Sequence, residues 1–175
     1  MNFELNKSIE LLKRAPVTYK NMFYGLNEDW VYANEGESTW SAYDIIGHLI
    51  HGEKTDWIPR SRIILSDQED KTFVPFDRFA QKELSKGKTM EELIDEFTTL
   101  RKANIEELES WNLTEEDLSK TGMHPELGTV TLRQLIAMWT IHDVTHIHQV
   151  SRVMVKHYKD DIGPWVAYSG ILSNN

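Results

Sequence analysis

Residues 139–149 read W-T-I-H-D-V-T-H-I-H-Q, and this stretch decides how the whole chain is interpreted. It places His142 and His146 four residues apart, and side chains at this spacing project from the same face of a helix. Two imidazoles one helical turn apart can bind a single metal ion. The stretch therefore predicts a helix that carries two metal ligands.

A helix through this stretch has one continuous inward face. Residues at steps of three or four share a face of an α-helix. Those on this face are Leu132, Leu135, Trp139, His142, His146, Val150 and Val153. Burial of a polar ring without a hydrogen-bond partner costs roughly 1–3 kcal/mol. Leucine at these positions would therefore give a more stable fold, unless a partner binds the ring nitrogens. Metal coordination would do so. His148 projects about 200° away from His146 and is expected outside the site.

A third histidine lies upstream in a second helical segment, G-H-L-I-H-G-E, at residues 47–53. Either His48 or His51 could supply the third nitrogen, because the two project only about 60° apart on a helix. The spacing by itself favours neither. Three neutral nitrogen ligands with one coordination position left open are typical of a catalytic metal site.

Four segments carry helical periodicity and the stretches between them carry helix breakers, so the sequence predicts an all-α chain. The predicted helices cover residues 3–14, 40 to about 65, 89–110 and 131–158. Pro16 should stop the first helix, and Pro59 should kink or interrupt the second. Residues 24–39 are predicted as a loop, at the end of which Ser38 or Thr39 caps the second helix.

The third predicted helix has the clearest start. Thr89 is followed three residues later by Glu92, which is the spacing of a capping box. Residues 113–130 contain two glycines and a proline and are predicted to be largely loop, with one helical turn at 114–118. The polar segment 66–87 is left without an assignment.

The composition of the chain restricts its domain number, its binding partners and its location. The chain has 175 residues, of which 40% are hydrophobic, and this suits one domain, residues 1–175, with one sizeable core. A net charge of −9 opposes binding to nucleic acid or to an anionic membrane surface. The chain has no cysteine, which excludes disulfides and thiolate ligands. No secretory signal pattern or membrane-spanning run is present, so a cytoplasmic protein is expected.

Two motifs resemble the DinB superfamily of metalloenzymes. The residues that carry the resemblance are Trp40, His48 and Leu49, then His142, Asp143, His146 and Gln149, after a G-x-V-T-L sequence that begins at Gly128. The resemblance implies an up-down-down-up four-helix bundle that is commonly a homodimer. It also implies a divalent metal ion, zinc or nickel, held by His48, His142 and His146. No catalytic residue beyond these ligands is assigned.

The same resemblance narrows the function. Proteins similar to this chain include transferases that use bacillithiol, mycothiol or glutathione, and isomerases of maleylpyruvate. Because the chain has no cysteine, a sulfur nucleophile must come from a cosubstrate. The first hypothesis is therefore a metal-dependent transferase whose small-molecule partner is a low-molecular-weight thiol. The alternatives are a metal-dependent hydrolase and a non-catalytic metal-binding or dimeric interaction module.

Three further features have open roles. Asp143 could orient a histidine ring or make a surface interaction. The apolar tail at residues 163–172 could form a wall of the site or part of a dimer contact. An anionic substrate could be reached by Arg60, Arg62, Arg101 and Arg152, although their spacing does not place them on one face.

Overall fold

The structure is a computed structural model that describes residues 2–173. The helices in this part of the chain are α1 (Leu5–Leu12), α2 (Ala15–Phe23), α3 (Glu28–Val31), α4 (Ala42–Thr55), α5 (Trp57–Leu65), α6 (Ala80–Ser85), α7 (Met90–Ser110), α8 (Glu115–Ser119), α9 (Leu132–Lys156) and α10 (Gly170–Ser173). Two strands, β1 (Thr121–His124) and β2 (Gly128–Thr131), precede α9, and a 3-10 helix (Gly163–Tyr168) precedes α10. None of the helices in residues 2–173 combines the length and the hydropathy of a membrane-spanning segment.

The long helices pack along one another around an apolar core that has two parts. One part lies between α2, α4 and α7 and includes Tyr19 and Phe97. The other lies between α1, α5, α7 and α9 and includes Leu12, Ile58 and Trp139. Helix α9 contributes to both parts. It also carries the predicted inward stripe, in which every residue is buried except the half-buried His142.

The first predicted helix is shorter than expected, and an unpredicted helix follows it. Helix α1 ends at Leu12, and α2 begins at Ala15, so that Pro16 lies in the first turn of α2. Proline is accepted there because the first N–H groups of a helix have no partner within the helix. Pro16 thus marks the start of α2 as well as the end of α1.

The second predicted helix begins later than expected. Its cap is Ser41 and not Ser38 or Thr39: the Ser41 hydroxyl accepts from the backbone N–H of Asp44, whose carboxylate accepts from the backbone N–H of Ser41. The predicted loop before it is interrupted by the single turn of α3.

The predicted interruption of this helix at Pro59 is confirmed, but it lies a few residues earlier. Helix α4 ends at Thr55, and α5 begins at Trp57. Pro59 has no N–H to donate to the carbonyl of Thr55, and its ring clashes with that carbonyl in a regular helix. The break therefore falls one turn before the proline.

The predicted starts of the other two long helices are confirmed. Thr89 caps α7 and forms the capping box with Glu92. Thr131 caps α9 in the same way, with Gln134 at the third position. Reciprocal hydrogen bonds of this kind satisfy backbone N–H groups that would otherwise lack partners.

The prediction that the chain is entirely helical is wrong in one region. Residues 113–130 were predicted as loop with one helical turn; the turn is present as α8, but β1 and β2 then pair as an antiparallel hairpin. A Cβ on Gly122 would lie 2.6 Å from the Phe73 ring, so only glycine fits against that side chain. Each strand has only four residues, which is too short for a clear alternation of polar and apolar side chains.

Candidate metal centre

Helices α4 and α9 bring three imidazoles together at the wall of a cavity. His142 Nε2 lies 3.1 Å from His48 Nε2 and 3.1 Å from His146 Nε2. One nitrogen from each ring falls within 4.8 Å of the others, and no other such group of histidine or acidic side chains occurs in residues 2–173. His48 and His146 are each 8% exposed. These are the three residues that the sequence resemblance assigned to a metal ion.

The hydrogen bonds of these rings leave lone pairs that face one another. His146 Nδ1 lies 2.8 Å from Gln149 Oε1, and an amide oxygen only accepts, so Nδ1 carries the proton and Nε2 carries a lone pair. His142 Nε2 can donate to one neighbour at most. Three nitrogen atoms this close therefore cannot all be satisfied by hydrogen bonds, whereas one cation would accept all three lone pairs. The donor set fits a metal ion.

All three rings are held in the neutral form that binds metals. Burial lowers the pKa of His48 to about 3, with further contributions from His146, His51 and Arg78. Burial, followed by the neighbouring His146 and His48, lowers the pKa of His142 to about 2. Burial also lowers the pKa of His146. Because neutral imidazole is the ligand form of histidine, these rings need not lose a proton to coordinate at pH 7.

The structure places the other histidines of these helices outside the cluster. His51 is buried against Phe76, with ring centroids 4.7 Å apart, and is not part of the three-nitrogen group. His148 lies outside the cluster, as predicted, and is exposed. The choice between His48 and His51, which the spacing left open, is made by how α4 packs against α9.

The three histidines open into a cavity of about 1090 Å³. Trp40 covers one side of the cluster, with its ring 4.8 Å from the His48 ring, and Trp57 lies 5.1 Å from the His142 ring. The apolar residues of the lining are Trp40, Trp57, Phe73, Pro75, Phe76, Pro125, Leu127, Val130, Leu135 and Met138. A cavity with mostly apolar walls and a few polar groups is typical of a small-molecule site.

Of the two roles considered for the apolar tail, a wall of this cavity is ruled out for residues 163–172, and a dimer contact stays a prediction. None of residues 163–172 lines it. Ile171 and Leu172 instead lie beside Arg152 and Lys156 near the end of α9. The side of the histidine cluster that faces the cavity is therefore not covered by residues 163–172.

Of the four arginines singled out in the sequence, only Arg60 lines the cavity. Its Nε lies 2.5 Å from Asp56 Oδ1, and both side chains are nearly buried. Burial raises the pKa of Asp56 to about 6, and the charge of Arg60 opposes that shift. The other three pair elsewhere: Arg62 with Glu107, Arg101 with Glu53 and Asp143, and Arg152 with Glu35.

Arg78 and His124 are among the polar residues of the cavity that sequence reasoning missed. Both lie outside the long helices, in the segment left unassigned and in the unpredicted hairpin. No periodic pattern could therefore have placed them at the site. Their position depends on how these connections fold over α5 and α9.

Asp143 has neither of the two roles proposed for it. Its carboxylate accepts from Arg101 Nη1 and Nη2, at 2.5 and 2.9 Å, in the buried interior. Arg101 Nη2 also donates to Glu53 at 2.8 Å, and Glu53 accepts from Trp139 Nε1 at 3.0 Å. Arg101 falls on the buried stripe of α7 between Phe97 and Ile105, and this charged residue in an apolar stripe was the available signal.

Comparisons with known proteins agree with this picture. The sequence model of the DinB superfamily matches residues 11–150. Among solved structures, YfiT from Bacillus subtilis superposes with a TM-score of 0.69 at 20% identity, covering 86% of this chain and 87% of that chain. YfiT is described as a probable metal-dependent hydrolase with an unusual four-helix bundle topology.

At this identity, the likeness to YfiT shows the fold alone, which is mostly helical here and belongs to a four-helix bundle there. No curated protein sequence matches the chain. The family match covers well over half of the 175 residues and includes all three clustered histidines. The chain therefore belongs to the DinB superfamily.

Proposed function

We propose that this protein is a metal-dependent enzyme that joins a low-molecular-weight thiol to a small electrophile. The observation that carries the proposal is the convergence of the Nε2 atoms of His48, His142 and His146 at the wall of an open cavity. These three residues would hold one divalent ion. The all-nitrogen donor set suits zinc or nickel.

When bound, a divalent ion supplies Lewis acidity, which lowers the pKa of a coordinated water or thiol and so favours a nucleophile at neutral pH. The residues of the chain prepare the site for it. Gln149 fixes the tautomer and the orientation of His146 through the hydrogen bond to Nδ1. Such a partner commonly raises the affinity of a histidine ligand.

The open cavity supports an enzyme over a metal site without turnover. A purely structural zinc site is closed by four protein ligands, whereas this cluster has three, and they line a cavity of about 1090 Å³. Small-molecule sites occupy roughly 300–1,000 Å³. The cavity can therefore hold a substrate beside the three imidazoles.

The size of the cavity also favours two reactants over one. A thiol transferase must hold the thiol and the electrophile together, and the cavity volume of about 1090 Å³ slightly exceeds the usual range of roughly 300–1,000 Å³. In the reaction, the thiol sulfur bonds to an electrophilic carbon and the leaving group departs with the electrons of the broken bond. The thiol proton is released to solvent.

Hydrolysis is the second candidate. The observation that favours it is the description of YfiT, which shares the fold, as a probable metal-dependent hydrolase. Water would replace the thiol as nucleophile, and the same three histidines would be used. A reaction that proceeds without added thiol would therefore assign the chain to this class.

The first test is elemental analysis of tag-free protein after removal of loosely bound ions. We expect about one divalent ion per chain, lost in His48→Ala and in His146→Ala. His148→Ala is the matched control, because His148 is exposed on the same helix, and it should retain the metal. Absence of metal after incubation with zinc and nickel would contradict the proposal.

The second test measures the reaction. Metal-loaded protein is mixed with 1-chloro-2,4-dinitrobenzene and with bacillithiol, mycothiol or glutathione in turn, and the absorbance of the thioether is followed. We expect a rate that depends on both metal and thiol. If the metal-loaded protein instead cleaves 4-nitrophenyl acetate without thiol and leaves the chloroarene unreacted, the hydrolase candidate replaces the transferase.

A further inference from the structure

We propose that the cavity contains a carboxylate-binding subsite, formed by Arg60, Arg78 and His124, that orients a substrate in which a carboxylate is attached to an apolar body. All three residues line the cavity that the clustered histidines share. That this ligand is a substrate rests on the proposed function. Binding of the carboxylate itself does not.

Arg60 is the buried member of the subsite, with only 7% of the residue exposed. Its Nε faces Asp56, and its Nη2 lies 3.3 Å from the carbonyl oxygen of Val74. Among the described residues, Nη1 has no hydrogen-bond partner. The guanidinium lies over the ring of Phe73, with its Cζ 5.2 Å from the ring centroid. A guanidinium held in this way retains N–H groups that match the two oxygens of a carboxylate.

Arg78 supplies a second positive charge. Within residues 2–173 it makes no ion pair and no hydrogen bond, in contrast to Arg62, Arg101 and Arg152, which are all paired. It lies close enough to His48 to help lower the pKa of that ring. An unpaired guanidinium on the wall of a cavity is available to a ligand.

His124 adds a directed donor. Its Nδ1 accepts from the backbone N–H groups of Glu126 and Leu127, at 3.1 and 3.2 Å. The neutral ring must then carry its proton on Nε2. The hairpin turn therefore fixes His124 as a neutral donor, and burial, followed by the charge of Arg60, lowers its pKa.

The charges of the lining favour a carboxylate over a phosphate. Asp56 and Glu126 also line the cavity and offset the charges of Arg60 and Arg78. Without a net positive charge in the lining, a dianion, which costs more to remove from water than a monoanion, is disfavoured. Asp56 already uses part of the charge of Arg60. The apolar residues of the lining, including Phe73 and Phe76, would contact the rest of the ligand.

Direct binding to metal-free protein tests the subsite without using activity. We would titrate 4-fluorobenzoate and the neutral 4-fluorobenzamide at pH 7.5 and follow each by fluorine NMR. The benzoate should bind at least about tenfold more tightly, because hydrogen bonds to a charged group are the stronger kind. Equal affinities would overturn the proposal, and tighter binding of 4-fluorophenyl phosphate would overturn the choice of a carboxylate.

Two variants assign the binding to these residues. Arg60→Lys keeps the charge beside Asp56 and removes the planar fork, and Arg78→Ala changes an exposed side chain with no partner to lose. Each should weaken 4-fluorobenzoate about tenfold and leave 4-fluorobenzamide unchanged. Arg62→Ala is the matched control, because Arg62 lies on the same helix as Arg60 and pairs with Glu107. It should bind as the wild type does.

The outcomes separate this inference from the proposed function. If the benzoate binds both variants as tightly as it binds the wild type, the subsite is wrong even where the metal is present. If the wild type lacks metal but still prefers the benzoate, the proposed function fails and the subsite stands.

Discussion

Two polar clusters lie next to each other inside the bundle, and neighbouring residues of α9 belong to them. His142 belongs to the histidine cluster, and Asp143 belongs to the ion-pair network around Arg101. Both clusters interrupt an apolar interior. They differ in how many of their polar atoms have hydrogen-bond partners within the protein.

In the ion-pair network, both Nη atoms of Arg101 and the carboxylates of Glu53 and Asp143 have partners, whereas the buried Nε of Arg101 has none within residues 2–173. Arg101 is 1% exposed and donates to Glu53, to Asp143 and to the carbonyl of Leu12. It ties α1, α4, α7 and α9 together. Buried charges are tolerated when they are paired and hydrogen-bonded in this way.

The histidine cluster is open. Its three Nε2 atoms face one another, and the Nδ1 atoms of His48 and His142 are buried without a hydrogen-bond partner. We infer that the ion-pair network serves the fold, whereas the facing Nε2 atoms of the histidine cluster are available to a ligand. The predictions that follow test this distinction.

The largest effect is expected from breaking the ion-pair network around Arg101. Arg101→Met removes the cation and leaves Glu53 and Asp143 as buried, uncompensated carboxylates, so the free energy of unfolding should fall by about 3–5 kcal/mol. Chemical denaturation of the metal-free protein measures this. The triple variant Arg101→Met, Glu53→Leu, Asp143→Leu is the control and should recover most of the loss. A loss below about 1 kcal/mol in the single variant would show that the network does not stabilise the fold.

A smaller effect is expected at Gln149, which contacts His146 of the histidine cluster. Gln149→Leu removes the acceptor of His146 Nδ1, so the affinity for Zn²⁺ should fall about 10–100-fold. Competition with a chromophoric chelator measures the affinity. His148→Gln, on the exposed side of the same helix, should have no effect. A large loss of stability in metal-free Gln149→Leu would mean that Gln149 serves the fold.

The two clusters were not equally visible in the sequence. His142 and His146 could be predicted because their spacing is set by the geometry of one helix. The choice of His48 over His51 could not, because it depends on the rotation of α4 within the core. The family resemblance supplied that choice.

The partners of Arg101 depend on contacts between helices that are far apart in sequence. Glu53 lies 48 residues from Arg101, and Asp143 lies 42 residues from it. Periodicity within one helix carries no information about such pairs. For the same reason, Arg78 and His124 could not be assigned to the cavity before the connections around it were known.

The third prediction concerns pH in the metal-free protein. Burial lowers the pKa of His142 to about 2 in the folded state, whereas the unfolded value is about 6.5. Below pH 6.5 the unfolded chain binds a proton that the folded chain does not, so stability falls as pH falls. His142→Leu removes this titratable group. Between pH 6 and pH 5, the free energy of unfolding of the variant should therefore fall by about 1 kcal/mol less than that of the wild type. Chemical denaturation at the two pH values measures this. If the free energy of unfolding falls equally in the variant and in the wild type, the burial of a neutral ring is contradicted.

The smallest effect is expected from an arginine pair on the surface. Arg62 contacts Glu107 through two hydrogen bonds of 2.6 Å each, so its contacts are as short as those of Arg101. Its side chain is 59% exposed, and water can solvate Glu107 once the arginine is gone. Arg62→Ala should therefore lower the free energy of unfolding by less than about 1 kcal/mol, and added salt should reduce the difference further. A loss as large as that of Arg101→Met, measured under the same conditions, would show that contact geometry and not burial sets the strength of these pairs. The ion-pair network around Arg101 would then differ from a surface ion pair only in its position.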